Sequence, residues 1–174
     1  MAPSASALAQ LTSACEGDGL TVANSEKIAV ELANMFGVKQ EEVGILKLEK
    51  DSLVFAHPAK LHNVGRIPLN SPAIAARTAH SKRPETINNF THTRHATFFE
   101  MVDVNAKPGE KKSSKNELII QKLMSAPVVA EARVVGVIQI CRKGATPQAA
   151  GADFTSTDLQ NLVASAASLA KCFK

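Results

Sequence analysis

Two long apolar runs in the last third of the chain constrain its fold more than any other feature. Residues 119–129 and 133–142 flank the dipeptide Glu131-Ala132. In the second run, Val134-Val135 and Val137-Ile138 leave almost no polar break. A strand of that kind is covered on both faces. Two such runs joined by a short polar step read as a hairpin. The sheet they belong to must therefore carry helices on one side and another layer on the other.

The remaining elements are read outward from that hairpin. Residues 43–48 and 53–57 are shorter apolar strands around the polar turn Glu49-Lys50-Asp51-Ser52. Before them, Ile28, Leu32, Met35 and Phe36 fall on one helical stripe that Asn24 or Ser25 can cap and Gly37 can end. Ser71-Pro72 opens a short helix, with Ile74, Ala75 and Thr78 on one face. Residues 84–89 form a short strand, and residues 92–101 a helix with Phe98 and Met101 inward. The chain closes on an amphipathic helix. Its start has a capping box with Thr155 and Asp158, and Leu159, Leu162, Val163, Ala166, Ala167, Ala170 and Phe173 follow at helical spacing. The order predicts an α+β fold with a central antiparallel sheet.

The flanks read differently. Residues 1–24 are small and polar, an N-terminal extension expected to be flexible or partly helical ahead of a single domain over 25–174. Residues 103–117 are Lys-rich around Pro108-Gly109 and bury too little to order themselves, so a flexible surface insertion is expected. The net charge of +4 gathers largely there, which argues against a nucleic-acid surface. With no Trp, no Tyr and seven Phe, the core must be built mostly from aliphatic side chains. Three widely spaced cysteines, Cys15, Cys141 and Cys172, do not suggest a secreted disulfide framework. Residues 1–10 lack a basic start followed by an apolar run, and no stretch of about 18 apolar residues occurs. A cytoplasmic protein without membrane contact is the expectation.

Residues that could carry chemistry each have a plain alternative. His92 and His95 are spaced to face one way on a helix and could ligate a metal or haem, or simply meet solvent; without a third ligand no metal or cofactor is assigned. Arg77, Arg83 and Arg94 could fork an anionic ligand or be solvated. Thr86, Asn88, Asn89 and Thr91 could orient a ligand or build a turn. Ser125 and Gln139 interrupt apolar strands and need partners, whether ligand, water or backbone. Cys141 reads as a buried, inert thiol. No nucleophile–base pair, P-loop or dinucleotide fingerprint is present, so no catalytic residue is assigned.

Several phrases, in this order, resemble the GAF family: the helix and first hairpin over 28–51, Ile67-Pro68-Leu69, the stretch 74–88 containing Pro84-Glu85-Thr86-Ile87-Asn88, Ser125-Ala126-Pro127-Val128, Val134 to Gln139, and Phe154-Thr155 before the final helix. The resemblance implies a GAF/PAS-like sheet with terminal helices on one face. A cap of short helices and loops, residues 61–101, would cover a ligand pocket on the other. It places Ile67, Ile74, Arg77, Thr78, Asn88, His95, Phe98 and Ser125 at that pocket. It also implies a homodimer through the terminal helices. The chain departs from the cyclic-nucleotide-binding members. It has Arg142-Lys143, Phe154, Asp158 and Leu159 where they carry an Asn-Lys pair, Phe, Asp and Glu. No cysteine lies between Lys60 and Val128, as bilin attachment or free methionine sulfoxide reduction would need. The expected function is a metabolite-sensing regulatory domain, not an enzyme, which relays its signal through the terminal helices, a dimer or a signalling partner. The alternative is a ligand-free dimerisation or protein-interaction module.

Overall fold

The computed structural model describes residues 5–63, 65–90 and 119–174. In chain order these form α1 (Ala5–Cys15), α2 (Val22–Phe36), β1 (Val43–Glu49), β2 (Ser52–His57), β3 (Ile67–Pro68), α3 (Ile74–Ser81), β4 (Glu85–Ile87), β5 (Ile119–Ala130), β6 (Arg133–Gly144) and α4 (Ser156–Leu169). Short 3-10 turns at Gln40–Glu42, Ala59–Leu61 and Ala170–Phe173 join them. The strands make one antiparallel sheet in the order β3-β2-β1-β6-β5-β4. The expected α+β layout is what the structure shows.

The two hairpins meet at the centre, where β1 pairs with β6. Alternation along those strands sorts side chains into two cores. Val43 and Ile45 of β1, opposite Ile140 and Ile138, join Ile28, Leu32 and Phe36 of α2 and Leu162 and Leu169 of α4 on one face. Leu46 and Val137 point the other way, to Phe55, Leu61, Ile67, Ile74 and Phe90. The nearly unbroken apolar sequence of β6 thus reflects cover on both faces. The β5–β6 turn is Glu131-Ala132, both at positive φ (51° and 64°), as a two-residue hairpin turn requires.

Element starts shift from the sequence reading where the cap is not the nearest candidate. Thr21 caps α2 by accepting from the Asn24 N–H, and Asn24 instead donates to the Gly19 carbonyl, so the helix begins earlier than Asn24 or Ser25 would set it. Ser71 does not cap α3. The Ser71 N–H closes a turn onto Pro68, the helix starts at Ile74, and the Ser71 hydroxyl is buried without a partner. The N-terminal extension carries α1, with Leu8, Thr12 and Cys15 buried on one stripe against α2, α4 and the 170–173 turn. The residue 92–101 helix and the 103–117 insertion lie outside the described residues.

At α4 the expected capping box is present. Thr155 Oγ1 accepts from the Asp158 N–H at 3.1 Å and Asp158 Oδ2 accepts from the Thr155 N–H at 2.7 Å. Thr155→Ala leaves first-turn donors unpaired. It should lower the stability read by urea unfolding by about 1 kcal/mol, with Thr155→Asn close to wild type; equal midpoints for Thr155→Ala and wild type would refute this.

Candidate functional site

The candidate site is the face of β5 and β6 beneath α3. Ile74, Thr78 and Ser125 come together there, each fully buried. Ile67 is buried in the same apolar layer, but on β3 at the far edge of the sheet. The first turn of α3 sets Ile74 into the apolar layer, and Thr78, one turn on, points the same way. Three buried polar side chains form a directed chain. Thr78 Oγ1 donates to the Ile74 carbonyl at 2.9 Å and lies 2.8 Å from Ser125 Oγ, which in turn accepts from Gln139 Nε2 at 3.2 Å. With the Thr78 proton committed to Ile74, the Ser125 hydroxyl must donate to Thr78. The partners that Ser125 and Gln139 require are therefore each other and Thr78. Cys141 is also buried in this layer.

The other candidates are placed elsewhere. Arg77 lies on the exposed side of α3, forked onto Glu85 at 2.9 and 2.7 Å. With both side chains partly solvated, that pair contributes at most about 1 kcal/mol. Asn88 clasps the backbone of Phe154, donating to its carbonyl at 3.1 Å and accepting from its N–H at 2.9 Å. It thereby ties the end of β4 to the start of α4. His95 and Phe98 lie outside the described residues. Among the described residues no group of three His, Cys, Asp or Glu side chains is arranged to hold a metal. No described helix is long and apolar enough to cross a membrane.

Arg142, Phe154 and Asp158, the residues at the cyclic-nucleotide positions, are used by the fold. The Arg142 guanidinium sits 4.8 Å over the Phe154 ring and donates to the Phe36 carbonyl at the end of α2, and Asp158 belongs to the α4 capping box.

Two polar features escaped the sequence reading. Lys122 is 5% exposed, donating to the Gly151 carbonyl at 2.6 Å and pairing with Asp153 at 2.7 Å. The adjacent polar pair Gln121-Lys122 inside an apolar run was the available signal, and a bulge there changes the strand's register. His57 is the other. It is 5% exposed, its Nε2 meets the Gln40 carbonyl at 3.1 Å, and its Nδ1 has no partner. Burial lowers its pKa, outweighing the Gln40 carbonyl and the charge of Glu26. Below pH about 6.5 the unfolded chain takes up a proton that folded His57 refuses. Stability should therefore fall as pH drops from 6.5 to the lowered folded value, and level off beneath it. Urea midpoints at pH 7.5 and 5.5 check this, with His57→Gln expected to flatten the dependence; an unchanged slope in that variant would clear His57.

A surface groove of about 470 Å³ runs along α2, lined by Leu11, Ala23, Glu26, Lys27, Val30, Glu31 and Gln40. It lies on the helical side of the sheet, away from the α3 face.

Comparison with known proteins agrees with this architecture. The GAF domain family matches over residues 23–173. No curated protein matches the sequence. Among solved structures, the GAF domain of an Acinetobacter phosphoenolpyruvate-protein phosphotransferase superposes with a TM-score of 0.66 at 15% identity, over 97% of this chain and 90% of that one. A free methionine-R-sulfoxide reductase from Neisseria meningitidis, in complex with its substrate, gives 0.62 at 21% identity, over 96% and 86%. A methyl-accepting chemotaxis protein, residues 122 to 287, gives 0.64 at 14% identity, over 94% of each. At these identities the likeness concerns the fold.

Proposed function

The chain belongs to the GAF domain family, and from that premise we propose that it is a regulatory domain that senses a small molecule on the α3 face of its sheet. The observation that carries the reading is the Gln139–Ser125–Thr78 chain set in the apolar layer with Ile74 and Val137. A mostly apolar lining with a few fixed polar groups is what a small-ligand site needs. Ligands that bind one state better than another would shift α1, α2 and α4, or a dimer built on them. The occurrence of the fold in a chemotaxis protein fits a signalling role. The fold also serves a sulfoxide reductase, but the stretch between Lys60 and Val128 offers no cysteine for such chemistry, so the proposal is a non-enzymatic domain.

A second reading is a ligand-free dimerisation module. Val22 and Val30 of α2 and Val163 of α4 are 59%, 41% and 41% exposed, and the polar groups of the α3 face already satisfy one another. Native mass spectrometry of the purified chain, followed by thermal shift against a metabolite panel, separates the two. A co-purified small molecule, or a stabilisation of about 3 kcal/mol from a ligand at a hundred times its Kd, supports the sensor. A clean dimer that responds to nothing supports the interaction module.

A further inference from the structure

We propose that Cys15 and Cys172 are a redox-responsive dithiol, which a small organic disulfide converts into a covalent tie between α1 and the 170–173 turn. The inference is independent of the ligand-sensing reading. Cys15 ends the buried stripe of α1, and Cys172 sits in the turn that packs against it. They are 1% and 0% exposed and belong to one core. The Cys172 thiol donates to the Thr12 carbonyl at 3.9 Å, one turn before Cys15 on the same buried stripe. Cys141 belongs to the other core, across the sheet, and cannot compete.

The order of events follows from which thiol keeps its proton. Burial, with Cys15 and then Glu16 adding to it, pushes Cys172 up to about 12. The first attack is assigned to Cys15, the last residue of α1, reached when that helix opens locally. The Cys15 thiolate attacks one sulfur of the organic disulfide. That forms a mixed disulfide and expels one thiolate, which takes up a proton. Cys172 then yields its proton to solvent and its sulfur attacks that of Cys15, closing the protein disulfide and expelling the second thiolate. Two protein thiols are oxidised and one organic disulfide is reduced to two thiols. The tie encloses nearly the whole chain and prevents α1 from leaving α2, α4 and the 170–173 turn.

The test is exposure of the folded full chain to oxidised glutathione, followed by denaturation, alkylation and peptide mass mapping without reduction. The expected result is a linked Cys15–Cys172 peptide pair, with Cys141 alkylated. The Tm should rise by roughly 10 °C, reversed by dithiothreitol. Cys141→Ser should behave as wild type and Cys15→Ser should lose the shift. Should Cys15→Ser fail to fold, the wild-type map and Cys141→Ser still decide. Alkylation of all three cysteines, a link through Cys141, or a glutathione adduct on Cys15 that never closes would each overturn the proposal.

Discussion

Gly136→Ala is expected to lower stability by about 3 kcal/mol or more, the upper end of the cost of overpacking a core. Gly136 lies on β6, the strand that pairs with both β1 and β5, and a side chain there would point at the helical face. A Cβ would stand 2.5 Å from Phe173 Cδ1, and closer still to Cε1 and the Leu46 carbonyl oxygen. The ring is 3% exposed and has nowhere to swing, and the carbonyl belongs to the central ladder. Both obstacles must give way together. For a chain of this size the loss corresponds to a Tm decrease of about 6–12 °C. Gly136→Ala combined with Phe173→Leu frees the ring obstacle but not the carbonyl, so it should still fall well short of the Phe173→Leu single variant. A Gly136→Ala midpoint within about 1 kcal/mol of wild type would show that the strand yields easily.

Gly136 also marks what could be read from the sequence. The apolar runs around it disclosed a strand covered on both faces, because burial on two sides leaves no polar alternation to hide it. The α4 start was equally plain, since Thr155 and Asp158 satisfy each other within one turn. What the sequence concealed depends on partners far along the chain. The α1 stripe consists of Leu8, Thr12 and Cys15, a weak apolar signal, and its cover includes a residue more than 150 positions away. Asn88 looked like a turn or ligand residue because its partner, the Phe154 backbone, is 66 positions distant. Arg77 is different: its acceptor, Glu85, lies only eight positions on, so the ion pair was within reach of local reasoning. Of the pocket residues expected from the sequence, Ser125 on β5 meets Ile74 and Thr78 on the inner side of α3. Arg77, on the outer side of that helix, does not.

That convergence makes Ser125 the decisive residue of the α3 face. Ser125→Ala should cost about 2 kcal/mol in the ligand-free chain, because it strands a buried donor. Gln139 Nε2 loses its acceptor, and Thr78 loses the hydroxyl beside it while keeping its own bond to Ile74. The asymmetry allows a sharper test. Adding Gln139→Leu removes the stranded donor, and replacing both partners by apolar groups is close to neutral. The double variant should therefore be more stable than Ser125→Ala alone, a coupling of about 1 kcal/mol or more in a double-mutant cycle. Simple additivity would mean that water reaches Gln139 and that the chain is not sealed. The same variants bear on function. If a ligand draws on this polar chain, Ser125→Ala should lose ligand-induced stabilisation as well as intrinsic stability. If the chain serves packing alone, the ligand's thermal shift should survive the substitution undiminished, and the recognition surface must be sought elsewhere on the domain.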